Sequence, residues 1–497
     1  MLAYGVGQLG ESLRTVGFTT FLLFYYNQVL GLPGALTSLA LGLSLIVDAV
    51  SDPLVGAWSD RTSTRLGRRH PFMIAGVVPL GLLFYATFNP PDLSDSGYFV
   101  WLTVSATLTR LAVSLYQVPH LALGAEIARD YAQRTTLYAI NTGFLFIAMY
   151  GGQAVALRWF FPTTPEFNPG LLNPEAYHGF SWWFAVTMCV AIVISIIGTL
   201  RQIRVMPQAA SRFPFSPSRV LTDFTEAFRN PSFRALFFGM MLTTLTLAAE
   251  GVLRPYLDLH FWGLTTEQMS YRPLAVVVGV VVALPLAPLL TRLFDKKFTL
   301  IAAGAINVTA IHLLILVRIA SPEALPANGS AALLSLLLVQ DFIMGWSSTL
   351  TYGAVYSMVA DVSDEHQLEV GERREGILFA SRVFTQQLMQ SVGIAAAGVL
   401  LDVIAFPIGA RTGEVGEATL VRLGLIPLGA SLVYIVGLCC YGHYRIHRQR
   451  HASILFELEQ QRESGNEAAA RIRRGGVACS RVTSAPRREG AASRECG

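Results

Sequence analysis

Lysine is nearly missing from this chain. Of its 37 basic Lys and Arg residues only Lys296 and Lys297 are lysines. Charge of either sign is scarce, at 14%, where soluble domains carry about a quarter. Cysteine is sparse too: Cys189, Cys439, Cys440, Cys479 and Cys496 show neither CxxC nor metal-ligand spacing. No disulfide framework or metal site follows, and the cysteines in apolar runs read as small buried hydrophobes. There is no GxSxG, no HExxH and no Walker-type phosphate loop, which argues against an enzyme and against a nucleotide-driven pump. The formal net charge is only +4, and the arginines fall between apolar spans. No nucleic-acid partner is implied.

Apolar sequence takes the place of what is missing. Hydrophobic residues make up 53% of the 497 positions and the mean hydropathy is +0.48, the balance of a polytopic membrane protein. The first apolar stretch is too long, and too poor in preceding basic residues, for a cleavable signal peptide. A membrane helix needs about 20 mostly apolar residues. Twelve such segments are predicted: 3–30, 34–59, 71–90, 98–127, 134–161, 179–201, 233–261, 268–292, 297–319, 329–360, 375–403 and 420–444. The expected fold is all-α, with twelve transmembrane helices in two six-helix bundles.

Basic residues set the expected orientation. Arg61, Arg65, Arg68 and Arg69 follow the second span, Arg129 and Arg134 the fourth, Lys296 and Lys297 the eighth, Arg373 and Arg374 the tenth. The alternate loops 91–97 and 162–178 are poor in basic residues. The positive-inside rule then puts the even-to-odd loops and both termini in the cytoplasm, with the chain in the inner (plasma) membrane. Residues 202–232, with Pro207, Pro214 and Pro217, read as a cytoplasmic linker between a first bundle at 1–201 and a second at 233–445. Residues 446–497 are polar and Arg-rich; this tail is expected to be disordered beyond a first helical turn or two.

Two carboxylates break the apolar pattern. Asp48 and Asp52 lie four residues apart among Leu, Ile, Val and Ala. An ionised carboxylate at mid-bilayer costs about 2.5–3.5 kcal/mol on the mildest scale, and two on adjacent turns repel. They must face the protein interior and need a counter-charge, a shared proton or a bound cation. Either they form a structural ion pair with an arginine of another helix, or they form a cation or proton site.

Other polar residues recur inside the spans. Glu11 and Arg14, near Gln8 and Ser12, can neutralise each other. Arg110, Ser114, Gln117 and His120 share one face of the fourth span, and Asn141, Thr142 and Gln153 lie in the fifth. Glu250, Arg254 and Asp258, each four apart, read as a ladder along one helix face or as a gate. Arg382, Gln386, Gln387 and Gln390 line the eleventh span. Four polar groups there point to a wet cavity rather than to isolated inter-helix bonds. A secondary transporter is what these features leave.

The stretches "VDAVSDPLVGAWSD" and "RLGRRHPF", from Val47 to Phe72, resemble the second span and following loop of the glycoside–pentoside–hexuronide:cation symporters. This is the melibiose permease group of the major facilitator superfamily. "ADVSDEHQLEVGERREGILFA" (Ala360 to Ala380) is similar as well, and "NQVLGL" and "RNPSF" match more weakly. The resemblance runs over roughly residues 1–445.

It implies a cation site built from second-span aspartates and a fourth-span hydroxyl, which falls on Asp48, Ser51, Asp52 and Ser114. No cofactor is implied beyond a coupling ion, Na+ or H+. The melibiose permease holds its sugar with acidic residues in spans one and four and an arginine in span five. A lysine of span eleven lies near its cation. Those positions fall here on Ser12, Gln117, Thr142 and Gln387, all neutral, so the sugar is gripped by neutral hydrogen bonds or the substrate differs. Arg382 is expected to replace the lysine as counter-charge to Asp48 or Asp52. Asp60, with Arg61, Arg65, Arg68 and Arg69, resembles the superfamily loop that latches the two halves on the cytoplasmic side.

The expected function is cation-coupled symport of a sugar by a monomer in the bilayer, with alternating access. Two alternatives stay open: a lysolipid or other amphiphile as cargo, and a transport-inactive sensor whose tail is essential.

Overall fold

The structure, a computed structural model, describes residues 1–62, 64–127, 131–200, 228–370 and 375–460, with the backbone alone described for 375–383 and for 49, 125, 131, 132, 134, 135, 138, 139, 369 and 370. Expectations that rest on Arg129, Arg373 and Arg374, on the side chains of Arg134 and Arg382, on most of the linker and on the tail beyond 460 fall outside the described residues.

Twelve helices follow the twelve predicted spans. They are α1 (residues 2–29), α2 (Gly34–Arg61), α3 (His70–Thr87), α4 (Asp95–Ile127), α5 (131–160) and α6 (Pro174–Leu200) in the first half. In the second half they are α7 (Pro231–Phe261), α8 (Thr266–Phe294), α9 (Lys296–Ala320), α10 (Ala331–Val370), α11 (Glu375–Val403) and α12 (Glu417–Gly442). Eleven are long and apolar enough to cross a membrane. The exception, α1, carries Gln8, Glu11, Ser12 and Arg14 and is interrupted by π-turns at Gly17–Phe21 and Tyr25–Val29; such turns are common at functional sites. α10 runs ten residues past its predicted end at 360 because the helix continues as polar sequence ("DVSDEHQLEV") after its apolar span.

Local signals fix the ends. Asn230 accepts a hydrogen bond from the Phe233 amide at 3.0 Å and Pro231 opens α7, the expected chemistry of a helix start. Thr265 and Gln268 form a capping box at the start of α8. Gly31, at φ +81°, makes the turn from α1 to α2.

The halves repeat one packing plan. α2 packs on α4, α4 on α3, α3 on α6 and α6 on α1; likewise α8 packs on α10, α10 on α9, α9 on α12 and α12 on α7. This is the repeat expected of a two-bundle transporter, although no repeat is visible in the residues. Between halves, α2 meets α11 and α5 meets α8.

Cross-half polar contacts gather at the end away from Arg61. The Gly34 and Ala35 amides donate to Asp402 Oδ1 and Oδ2 at 2.9 and 2.7 Å. α2 has no side-chain cap of its own, so a carboxylate from the other half satisfies its orphan amides. Tyr256 donates to Asn27 Oδ1 at 3.0 Å, the Gly409 amide to Gln28 Oε1 at 3.1 Å, and the Thr163 amide to Glu267 Oε1 at 2.6 Å. Phe24 and Tyr256 meet across the seam at 5.3 Å between centroids. At the Arg61 end, ion pairs between described residues stay within each half, as in Lys296–Asp361 at 2.7 Å and the Arg69 pairs described below.

The tail differs from expectation. Residues 448–460 form a further helix, α13, longer than one or two turns. Ile454 and Leu458 are buried in the core of the second half with Phe233, Met358 and Val362. Apolar positions four apart gave this amphipathic face its anchor.

Candidate cation and substrate site

Asp48 and Arg110 form the buried centre of the first half. Arg110 Nη1 lies 3.2 Å from Asp48 Oδ2, and Arg110 Nε donates to Ser44 Oγ at 2.9 Å. Ser114, one turn beyond Arg110, donates to Asp48 Oδ1 at 3.1 Å. Ser51 Oγ stands 3.5 Å from Ser114 Oγ and bonds back to the Asp48 carbonyl at 3.1 Å. α2 and α4 are neighbours, so one face of each supplies carboxylate, hydroxyls and guanidinium together. Asp52, on the next turn of α2, accepts from Gln387 Nε2 of α11 at 3.3 Å.

The structure thus brings Asp48, Ser51 and Ser114 into one cluster with Asp52 beside it. Arg110, one of the residues expected as counter-charge or gate, pairs with Asp48; the side chain of Arg382, also expected there, lies outside the described residues. Gln387, which falls at the position of the family's span-eleven lysine and was counted with the substrate residues, reaches Asp52.

Glu11 and Arg14 pair with each other at 3.2 Å, and Glu11 also accepts from Thr15 at 2.7 Å and Gln8 at 3.0 Å. Both Arg14 and Arg110 hold their guanidinium carbons over the Phe18 ring, at 5.7 and 5.4 Å from its centroid, within cation–π range. Ser12 Oγ and Gln117 Oε1 are buried with no hydrogen-bond partner among the described residues, whereas Thr142 is exposed. A buried polar atom without a partner costs about 1–3 kcal/mol.

Among the described residues, the ion pairs of the arginine cluster lie within the first half. Arg69 pairs with Asp60 at 2.5 Å and with Glu126 at 3.1 Å, and Arg68 with Glu126 at 2.7 Å. These pairs clamp the α2–α3 loop onto the end of α4. Glu126 provides the acceptor, so neighbouring segments satisfy the charges first.

The second half holds a network larger than its sequence suggested. Glu250 bonds to His312 of α9 at 3.1 Å, rather than to its own helix. Arg254 pairs with Asp341 of α10 and lies 3.9 Å from Asp258. Arg272 of α8 pairs with Asp258 and lies 2.6 Å from Asp341. The expected single-helix ladder is therefore a bridge joining α7, α8 and α10. Asp341, Arg272 and His312 were missed, although Asp341 is a lone charge in an apolar span, the same signal that singled out Asp48.

Two helical bundles repeating one packing plan, with charge pairs buried where they face each other, define a membrane transporter of the secondary class. The chain belongs to the family described as MFS/sugar transport protein, which it matches over residues 3–448. It is 24% identical to an uncharacterized symporter of Synechocystis, covering 94% of this chain and 97% of that protein. It is also 24% identical to a putative glycoside/cation symporter of Escherichia coli, over 94% and 96% of the two chains. The isoprimeverose transporter of Lactiplantibacillus pentosus is 21% identical over 80% and 79%. Among solved structures, a nucleoside transporter superposes with a TM-score of 0.62 at 10% identity, over 88% of this chain and 98% of that one. The inward-open xylose transporter of E. coli gives 0.54 at 13%, over 87% and 94%. These likenesses carry the fold.

Proposed function

We propose that this secondary transporter couples a monovalent cation, Na+ or H+, to uptake of a sugar or glycoside across the inner membrane. Asp48, Ser51, Asp52 and Ser114 receive the cation. The observation that carries this reading is the cluster of hard oxygen donors, with Ser114 Oγ 3.1 Å from Asp48 and 3.5 Å from Ser51. Such donors suit a small hard cation. Arg110 neutralises Asp48 until a cation competes for the carboxylate. The names of the relatives support a sugar, and the neutral Ser12, Gln117 and Thr142 suit its hydroxyls.

With the arginine-rich end in the cytoplasm, the cross-half bonds at Asp402, Asn27 and Gln28 close the outer side, as in an inward-facing carrier. Access then alternates by rocking one half on the other.

The test is thermal unfolding of the purified full chain in detergent with isoprimeverose, melibiose or methyl β-D-glucuronide, in Na+ or in choline buffer at two pH values. A ligand of the folded state raises the midpoint with concentration. Stabilisation by at least one sugar, strengthened by Na+ or by lower pH, is expected. No shift with any sugar removes the sugar reading.

A further inference from the structure

We infer that the charged bridge of α7, α8 and α10 is a second wall of the substrate site, binding sugar hydroxyls through Arg254 opposite Tyr150 and Gln153. This rests on the sugar reading above and adds residues that the resemblance does not supply.

The bridge borders a partly open cavity between the halves. Arg254, Asp258 and Arg272 line it from the second half; Thr20, Tyr150 and Gln153 line it from the first. The Thr20, Tyr150 and Gln153 side chains form no hydrogen bond with another described residue. A polar wall without bonds to other described residues faces a polar wall that is heavily bonded, across the opening between the halves.

Arg254 is the member of the bridge built to reach into that space. Its side chain keeps 27% exposure, against 4% for Arg272 and 1% for Asp341. Of its three guanidinium nitrogens, Nη2 is held by Asp341 and Nε lies 3.9 Å from Asp258; among the described residues Nη1 donates only to the Met344 thioether, at 3.3 Å. Thioether sulfur is a weak acceptor, so a hydroxyl oxygen replaces it with gain. Two arginines and two aspartates balance, so the bridge presents oriented donors and acceptors without net charge. That suits a neutral polyol surface better than a free ion. Asp258, Arg272 and Asp341 are positioning residues that hold the guanidinium plane.

A substrate held from both halves bridges them, which is how its binding can favour closure around it.

The test uses the purified full chain and the same three sugars, read as thermal shifts across a concentration series. Tyr150→Phe and Gln153→Leu each remove neutral hydrogen-bonding groups without disturbing an ion pair. Each is expected to weaken the apparent affinity roughly 2- to 12-fold at an unchanged ligand-free midpoint. Arg254→Lys keeps the charge but loses the planar fork; it is expected to weaken affinity by at least as much. A bridge that only holds the helices together would lower the ligand-free midpoint of Arg254→Lys and leave the sugar affinity of all three variants at the wild-type value. That result overturns the inference while the sugar reading stands. A wild-type chain that responds to none of the sugars overturns both.

Discussion

Gln387 of the second half reaches Asp52 of the first, with its amide nitrogen 3.3 Å from Oδ2. The bond links the proposed cation site to the opposite bundle at the α2–α11 seam. A cation drawing on Asp52 changes what Gln387 can bond to, so cation loading and the relation of the halves become one event. Gln387→Leu is therefore expected to keep the fold but to weaken cation stabilisation roughly 2- to 12-fold, the worth of one neutral hydrogen bond. The readout is the Na+ concentration, or pH, that gives half the maximal thermal shift. An unchanged half-point would show the contact to be incidental.

Removing either carboxylate tests the coupling itself. Asp48→Asn and Asp52→Asn are expected to abolish accumulation of the transported sugar against its gradient in membrane vesicles, while exchange down the gradient remains measurable. Uphill uptake in Asp52→Asn at the wild-type rate, with the same ion dependence, would make the pair purely structural.

Arg110 should behave as half of a buried pair. Arg110→Gln leaves Asp48 without its counter-charge in a buried site, and breaking such a pair costs about 3–5 kcal/mol. The double change Asp48→Asn with Arg110→Gln removes both charges and is expected to recover most of that loss. Thermal or denaturant unfolding of the two single variants and the double gives the coupling directly. Additive losses would show that Asp48 and Arg110 do not depend on each other.

The tail carries its own prediction. α13 buries Ile454 and Leu458 and sets Arg448 and His451 against the ends of α8 and α10. The Arg448 amide lies 3.2 Å from Asp295, and His451 Nε2 lies 3.3 Å from Asp364. Ending the chain after residue 460 is expected to leave folding and transport intact. Ending it after 445 exposes the apolar floor that α13 covers, and is expected to lower the unfolding midpoint and the yield of folded protein. Equal midpoints for the two truncations would show that α13 contributes nothing to the second half.

How much of this was legible in the residues follows from which forces act locally. The spans were, because lipid demands runs of about 20 apolar residues with their backbone bonds satisfied internally. Even α1, made weak by Glu11 and Arg14, was placed. Asp48 and Asp52 were legible because a carboxylate among Leu and Val needs a partner, and Ser114 through the resemblance to the symporter family. The choice of partner was not: Arg110 and Arg382 were both candidate counter-charges, and only the packing of α4 on α2 shows Arg110 at Asp48. The same limit hid the bridge. Arg254 and Asp258 suggested a ladder by their spacing, while Arg272 and Asp341 are 69 residues apart and meet only in the fold. Tail helix α13 was missed because its anchors, Ile454 and Leu458, sit in strongly polar sequence whose average favours disorder.

The closed end makes the last prediction. α2 and α11 touch backbone to backbone at Gly34 and Gly398. A Cβ placed on Gly34 would stand 2.6 Å from the Gly398 carbonyl oxygen and 2.9 Å from Asp402 Oδ1, closer than real contacts allow. Gly34→Val therefore wedges the seam at the point where Asp402 caps α2, and the cap bonds at 2.9 and 2.7 Å cannot form. The conformation closed at this end loses stability relative to one open there, since a change in one state alone shifts the population. Gln28 reports the shift: it is buried at this end, bonded across the seam to the Gly409 amide. With the native cysteines replaced by serine and Gln28→Cys introduced, a membrane-impermeant maleimide added from outside intact cells is expected to label the Gly34→Val protein faster than its Gly34 parent. Net transport falls in the same variant because the cycle stalls before closure. Equal labelling of the Gly34→Val protein and its parent would mean that the glycine contact does not hold the seam. Faster labelling with undiminished transport would mean that closure here is not needed for the cycle.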